Sequence, residues 1–170
     1  MNRNITEIVD KLTKRYKTRN PYELAEAVGI VVMRRDLAML KGFYTVENKT
    51  RYIAINKNLD DDYQRLVCGH ELGHDCLHRH FAQCGFLRDF RLFNLEGRIE
   101  HEANLFAADL LIPDDEIILN RVWENHTYEQ IAGMLRVPVE VIRYKAYSIS
   151  QRGYDVHTPE LARPDFLKDS

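Results

Sequence analysis

Several features that would mark a special class of protein are missing from this sequence. No apolar run approaches the length needed to cross a bilayer. The opening residues, Met1-Asn2-Arg3-Asn4 followed by Ile5 to Lys11, have no apolar signal core, so export is not expected. There is no excess of positive charge: the formal net charge is -2, which gives no electrostatic footprint for nucleic acid or for an anionic membrane. Cysteine is scarce. Cys68, Cys76 and Cys84 cannot all pair within one chain, and they read as reduced thiols of a cytosolic protein. Internal repetition is limited to a loose likeness between residues 20–30 and 127–137. What remains is ordinary: 170 residues, 45% apolar and 29% charged, suit one globular domain with a proper core.

The local signals suggest an α+β domain, mostly helical, with a small sheet. Ile5, Ile8, Val9, Leu12 and Tyr16 recur at helical spacing over about residues 4–17. Asn20 caps a second helix, with Pro21 in its first turn, Glu23 in the capping-box position and Gly29 at its end. Ile30 to Met33 is β-branched and reads as a strand. Gly42–Val46 and Tyr52–Ile55 follow as an antiparallel pair around a turn at Glu47-Asn48-Lys49-Thr50. Asp60-Asp61-Asp62 opens a long helix expected to end near His80. Residues 81–94 are aromatic and aperiodic and read as a loop or short-helix insert, and Glu96 to Leu111 is helical up to Pro113. A short helix near Asp114, a helix capped by Thr127 and Gln130, and a last helix after Pro138 precede a coil-like tail from Gln151.

The chemistry lies in the long helix, in His70-Glu71-Leu72-Gly73-His74. At 3.6 residues per turn, His70 and His74 stand one above the other on one face. Two such imidazoles can hold one zinc ion, and Glu71 can take a proton from water beside it. A hydrolytic zinc site needs a third protein ligand and an open position. His78 continues the series, but eight residues advance a helix by roughly 12 Å, too far for the same ion. It is therefore expected to support the site rather than to bind metal. Glu100 is the best-placed third ligand, with Asn104 on its own face to steady a neighbouring ligand; Glu102 and His101 are rivals on other sides of that helix. Small Gly73 allows another element or a peptide to approach closely.

Other readings compete. Thr127 to Lys145 has the outline of a helix-turn-helix, with Arg143 and Lys145 available to a major groove, although two helices packed on a core give the same pattern. A zinc ion with four protein ligands would make the chain a non-catalytic binding protein. For a hydrolase, His101, His126, Tyr128 and Tyr144 are candidates to steady a developing oxyanion, and an extended substrate could pair with a sheet edge near Arg51–Asn56.

The chain resembles the ImmA/IrrE family of metallo-endopeptidases. The likeness rests on His70-Glu71-Leu72-Gly73-His74 with Leu77-His78, and on the run from Glu100 through Ala103-Asn104, Phe106-Ala107 and Leu110-Leu111-Ile112-Pro113, where Ile112 stands in place of a commoner Met. It covers about residues 5–150, so residues 1–150 are expected to form the zinc peptidase domain and 151–170 a tail. The resemblance implies a minimal zincin-like core, zinc held by His70, His74 and Glu100, and catalysis by Glu71. Asn104, and with it His78, would support the ligands. It also implies a cytoplasmic anti-repressor of a mobile genetic element, which cuts a helix-turn-helix repressor encoded nearby and binds neither nucleic acid nor membrane.

Overall fold

The computed structural model describes residues 5–83, 93–115, 117, 125–156 and 167. Helix α1 (Ile5–Tyr16) and helix α2 (Pro21–Ala27) lead into strand β1 (Ile30–Arg35). Asn20 caps α2 by accepting a hydrogen bond from the Tyr22 N–H at 3.0 Å. Strands β2 (Gly42–Glu47) and β3 (Thr50–Asn56) form a hairpin. Its turn residues Asn48 and Lys49 both have positive φ, the backbone twist that a two-residue hairpin needs.

The strand order is β1-β3-β2, with β1 parallel and β2 antiparallel to β3. This corrects one expectation. Residues 51–56 are not an edge: β3 is the central strand, and both of its sides are hydrogen-bonded. Among the described residues the free edges belong to β1 and β2.

Helix α3 (Asp61–Gln83) is capped by Asp60, whose carboxylate accepts from the Tyr63 N–H at 2.8 Å. It runs past His80, and α4 (Phe93–Leu111) starts before Glu96, so both ends of the expected 81–94 insert are helical. Residues 84–92, with Cys84, and residues 116 and 118–124, where a short helix is expected near Asp114, lie outside the described residues. Helix α5 (Tyr128–Leu135) opens on a complete capping box between Thr127 and Gln130, and α6 (Val139–Ser150) follows.

Two hydrophobic clusters share α3 and α4. The first joins the sheet to α1, α2 and the helices through Leu24, Ile53, Ile55, Leu72 and Phe106. The second gathers Leu66, Ala107, Ala108, Ile131, Ile142 and Tyr144, and Leu167 from the tail is buried in it. Each such large side chain contributes roughly 1.5–3 kcal/mol by leaving water. In the first cluster the sheet lies on α3, and α4 packs against the same helix.

Helix α6 packs one face into the second cluster. Val141, Ile142, Tyr144, Ala146 and Ile149 point inward, and Lys145 is fully buried. The Lys145 ammonium donates to Asp109 at 2.9 Å and to Asp114 at 2.6 Å, so its charge is committed inside the protein. Arg152 also pairs with Asp114; burial works against ionisation there, but these two cations hold its carboxyl down to about 2. Asp109 further accepts from Thr6 of α1 at 2.7 Å and from Ser148 at 2.9 Å. No helix among the described residues is long and apolar enough to cross a membrane.

Asp109 thus ties α4 to α1 and α6. Replacing it by alanine leaves Lys145 buried with half its counter-charge, and should lower stability by about 3–5 kcal/mol in urea unfolding. A loss below about 1 kcal/mol would show that this network holds little of the fold together.

Candidate metal centre

Helix α3 presents His70 and His74 toward α4 because one helical turn separates them and the two helices touch there through small groups. A Cβ placed on Gly73 would lie 3.2 Å from the Phe106 side chain, and one on Gly69 would lie 3.8 Å from the Ala107 Cβ. That close approach lets Glu100 of α4 reach both imidazoles.

Nε2 of His70 lies 3.1 Å from Nε2 of His74. The Glu100 carboxylate lies 3.2 Å from the first and 3.6 Å from the second. All three residues are buried, and among the described residues this is the group of donors able to hold a metal ion. Tetrahedral zinc with bonds of about 2.0–2.1 Å spaces its donors roughly 3.3 Å apart. The observed separations straddle that spacing. The donor set, two imidazole nitrogens and one carboxylate, is that of a catalytic zinc peptidase, and among the described residues it stops one short of the four protein ligands of a structural site.

The electrostatics agree. Burial pushes the His70 pKa down, but hydrogen bonding to Glu100 and the charges of Glu71 and Glu100 together push it further up. Burial likewise opposes ionisation of Glu100, and the two histidines overcome it, so its carboxyl stays well below the usual carboxylate range. The pocket therefore strongly favours positive charge at its centre.

The surrounding residues orient the donors. Nδ1 of His74 lies 3.3 Å from Nδ1 of His78, and Nε2 of His78 lies 3.0 Å from Glu102. Arg98 donates to the other Glu102 oxygen at 2.8 Å. Glu102 titrates low: burial acts against this, and His78 and Arg98 prevail. A carboxylate can only accept, so His78 must donate from Nε2 and, when neutral, accept at Nδ1. His74 then donates from Nδ1, which leaves its Nε2 lone pair aimed at Glu100 and His70. Asn104 lies beside His70 and favours its charged form by hydrogen bonding.

Glu71 is buried next to His70, on the side where β2 begins: a Cβ on Gly42 would come within 3.6 Å of its carboxylate. Of the rival ligands, Glu102 serves His78, and the His101 ring packs 5.4 Å from that of Tyr144 and 5.6 Å from that of Tyr147. Among the other oxyanion candidates, Tyr144 is fully buried in the second cluster, Tyr128 packs against it and His126 is exposed. Burial pushes the Cys68 and Cys76 thiols up to about 12, which keeps them protonated and unreactive.

Sequence reasoning missed a second cluster on α3. The Asp75 carboxylate is fully buried and accepts from Tyr44 at 2.7 Å, Arg51 at 2.8 Å and Arg79 at 2.6 Å. Burial and the bond to Asp75 push the Tyr44 pKa up, so it stays a phenol and a donor. Arg51 also reaches the Val28 carbonyl. These contacts clamp the metal helix to β2, to β3 and to the end of α2. An acidic residue directly after His74 was the available signal.

Zinc titration followed by native mass spectrometry should show one ion per chain for the parent, and none retained by His70→Ala, His74→Ala or Glu100→Ala at micromolar metal. Glu102→Ala should keep the ion but bind it about 10–100-fold more weakly, through loss of the His78 and His74 orientation. Equal affinity in Glu102→Ala and the parent would remove that relay from the account.

The comparisons with known proteins agree with this geometry. Residues 25–147 match the Peptidase_M78 family, described as the IrrE N-terminal-like domain. A protein of Bacillus phage phi105 named "Uncharacterized immunity region protein 2" is 40% identical over 145 residues, which cover 85% of this chain and 90% of that protein. The "Metallopeptidase ImmA" of Bacillus subtilis (strain 168) is 29% identical over 167 residues, 94% of each chain. With its matched span containing both helices that build the donor cluster, the chain belongs to the Peptidase_M78, or IrrE N-terminal-like, family of metallopeptidases.

Proposed function

We propose that this chain is a zinc-dependent endopeptidase that makes site-specific cuts in a helix-turn-helix transcriptional repressor, acting in the cytoplasm as the anti-repressor of a mobile genetic element. The reading rests above all on one observation: two imidazole nitrogens and a carboxylate converge from separate helices, with Glu71 alongside. The phage immunity-region relative and the ImmA relative support the choice of biology.

In this reading His70, His74 and Glu100 hold the ion, and His78, Asn104 and Glu102 keep its ligands oriented. Residues 1–150 form the peptidase domain and 151–170 its tail. Bound zinc would supply Lewis acidity, lowering the pKa of water and polarising the scissile carbonyl. Glu71 accepts the proton from the attacking water and passes it toward the departing amine. Its burial beside Gly42 keeps bulk water from competing for that proton.

The substrate backbone would add to the free edge of β2, since β3 is closed on both sides. Strand β2 starts against Glu71, so a chain paired there passes beside the base. Gly42 makes this approach possible. A methyl group in its place would lie 2.4 Å from Val67 and 2.9 Å from the Ala54 carbonyl, displacing the strand.

The test is incubation of the zinc-loaded protein with the helix-turn-helix repressor encoded beside it, followed by intact-mass measurement. One pair of fragments should form with the parent. Glu71→Gln should bind zinc normally but cleave at least about 100-fold more slowly, the usual range for a lost general base. Repressor loss that continues unchanged in Glu71→Gln, or that leaves the repressor intact in mass, would replace the peptidase reading with one of sequestration.

A further inference from the structure

A cavity of about 480 Å³ lies between α1, α4 and the end of α6, and none of the three metal ligands lines it. That volume falls in the range of small-molecule sites, roughly 300–1,000 Å³. Part of its wall is already spent. Thr6 and Ser148 donate to Asp109, and Arg152 grips Asp114 with both terminal nitrogens, so Arg152 is no anchor for a ligand.

Other groups in the wall are not spent. Arg98 uses only Nε, on Glu102 at 2.8 Å; its terminal nitrogens bond nothing among the described residues, and 63% of the side chain is exposed. The His101 imidazole and the Tyr147 hydroxyl make no hydrogen bond among them either, and the two rings stand edge to face, 5.6 Å apart at 77°. Ile5 and Leu105 add apolar surface to the same cavity. Tyr147, His101 and Leu105 thus suit an apolar or aromatic body, and the outer end of Arg98 offers a planar fork of N–H donors to a carboxylate. That fork and Nε are different edges of the guanidinium, so Arg98 can hold a ligand without releasing Glu102. The carboxylates of Glu102 and Asp109 line the same space and oppose a dianion such as a phosphate monoester.

Glu102 connects this cavity to the metal centre. Its other oxygen accepts from Nε2 of His78 at 3.0 Å, and Nδ1 of His78 lies 3.3 Å from Nδ1 of His74. Arg98 is long and exposed, and ordering it costs rotamer entropy. A ligand on its outer end meets that cost in advance and keeps Glu102 turned toward His78. We propose that this cavity binds a small monocarboxylate with an apolar, preferably aromatic, body, and that this ligand and zinc each strengthen the binding of the other through Arg98, Glu102 and His78. The coupling rests on the zinc site of the endopeptidase reading; the binding does not.

The experiment titrates hydrocinnamate, its amide and phenyl phosphate into the full chain, metal-free and zinc-loaded, followed by amide-resolved NMR. In the metal-free chain hydrocinnamate should shift the signals of residues 98–105 and 147–152 and bind about tenfold more tightly than its amide, and more tightly than phenyl phosphate. Arg98→Gln should abolish the preference for the acid while leaving the weak binding of the amide, and Tyr147→Ser should weaken both. Arg98 is at the surface, and thermal unfolding of its variant should match the parent. Zinc affinity, read by competition with a chromophoric chelator, should rise about fivefold at saturating hydrocinnamate, and hydrocinnamate affinity should rise by the same factor in the zinc-loaded chain. Neither rise should occur in Arg98→Gln. No binding to the metal-free chain, an amide that binds as well as the acid, or binding that needs zinc and survives Arg98→Gln overturns the site; the last marks coordination at the metal itself. Zinc affinity that is unchanged or lowered at saturation overturns the coupling. No readout here uses cleavage, so this site and the peptidase activity can each fail without the other.

Discussion

The distance between α3 and α4 is the constraint on which the rest depends. Side chains from both helices must reach one point, and donors separated by 3.1 to 3.6 Å leave little tolerance for helix movement. Glycine at position 73 and alanine at positions 103 and 107 keep the contact thin, while Phe106 closes over Gly73. Bringing two imidazoles and a carboxylate into this buried contact costs desolvation that the donors recover from one another, from neighbours such as His78 and from a cation. The helices must therefore be held from outside. Asp75 does this toward the sheet and α2, and Asp109 toward α1 and α6.

The two networks have similar design and different consequences. In each, a buried aspartate on a metal-bearing helix collects donors: Tyr44 and Arg51 from the sheet and Arg79 from its own helix for Asp75, and Thr6, Lys145 and Ser148 from other helices for Asp109. The Asp75 cluster fixes the helix carrying His74 relative to β2, which sets how near the open strand edge comes to Glu71. The Asp109 cluster fixes the helix carrying Glu100. Between them runs the chain from Arg98 through Glu102 and His78 to His74, in which a single carboxylate determines the tautomers of two histidines.

Local signals were enough to place most of the helices and to put His70 and His74 on one face. Asn20, Asp60 and Thr127 each satisfy backbone donors within a few residues of themselves, and such chemistry is written in adjacent sequence. The strand order was not legible in this way. Whether residues 51–56 lie at an edge depends on β1 pairing in parallel across an intervening hairpin, a contact between residues about twenty apart. Lys145 misled for a related reason. A lysine on a capped two-helix unit resembles a groove-facing cation until the distant Asp109 and Asp114 are known. The role of Glu102 was equally hidden, since nothing in its neighbourhood distinguishes a partner of His78 from a direct ligand.

The same dependence on distant contacts explains why the site lies where it does. Helix α3 contributes Cys68 and Leu72 to the first hydrophobic cluster and Leu66 to the second; α4 contributes Phe106 and Leu110 to the first and Ala107 and Ala108 to the second. The donor cluster sits on the two elements that both clusters share. A shift of either cluster against the other would change the α3–α4 distance and separate the donors, so each cluster's packing energy resists opening of the site. A small protein gains from this arrangement a rigid donor set without a disulfide or a large dedicated core. Among the described residues β2 is an edge strand, so on that side the sheet presents backbone groups instead of packed side chains.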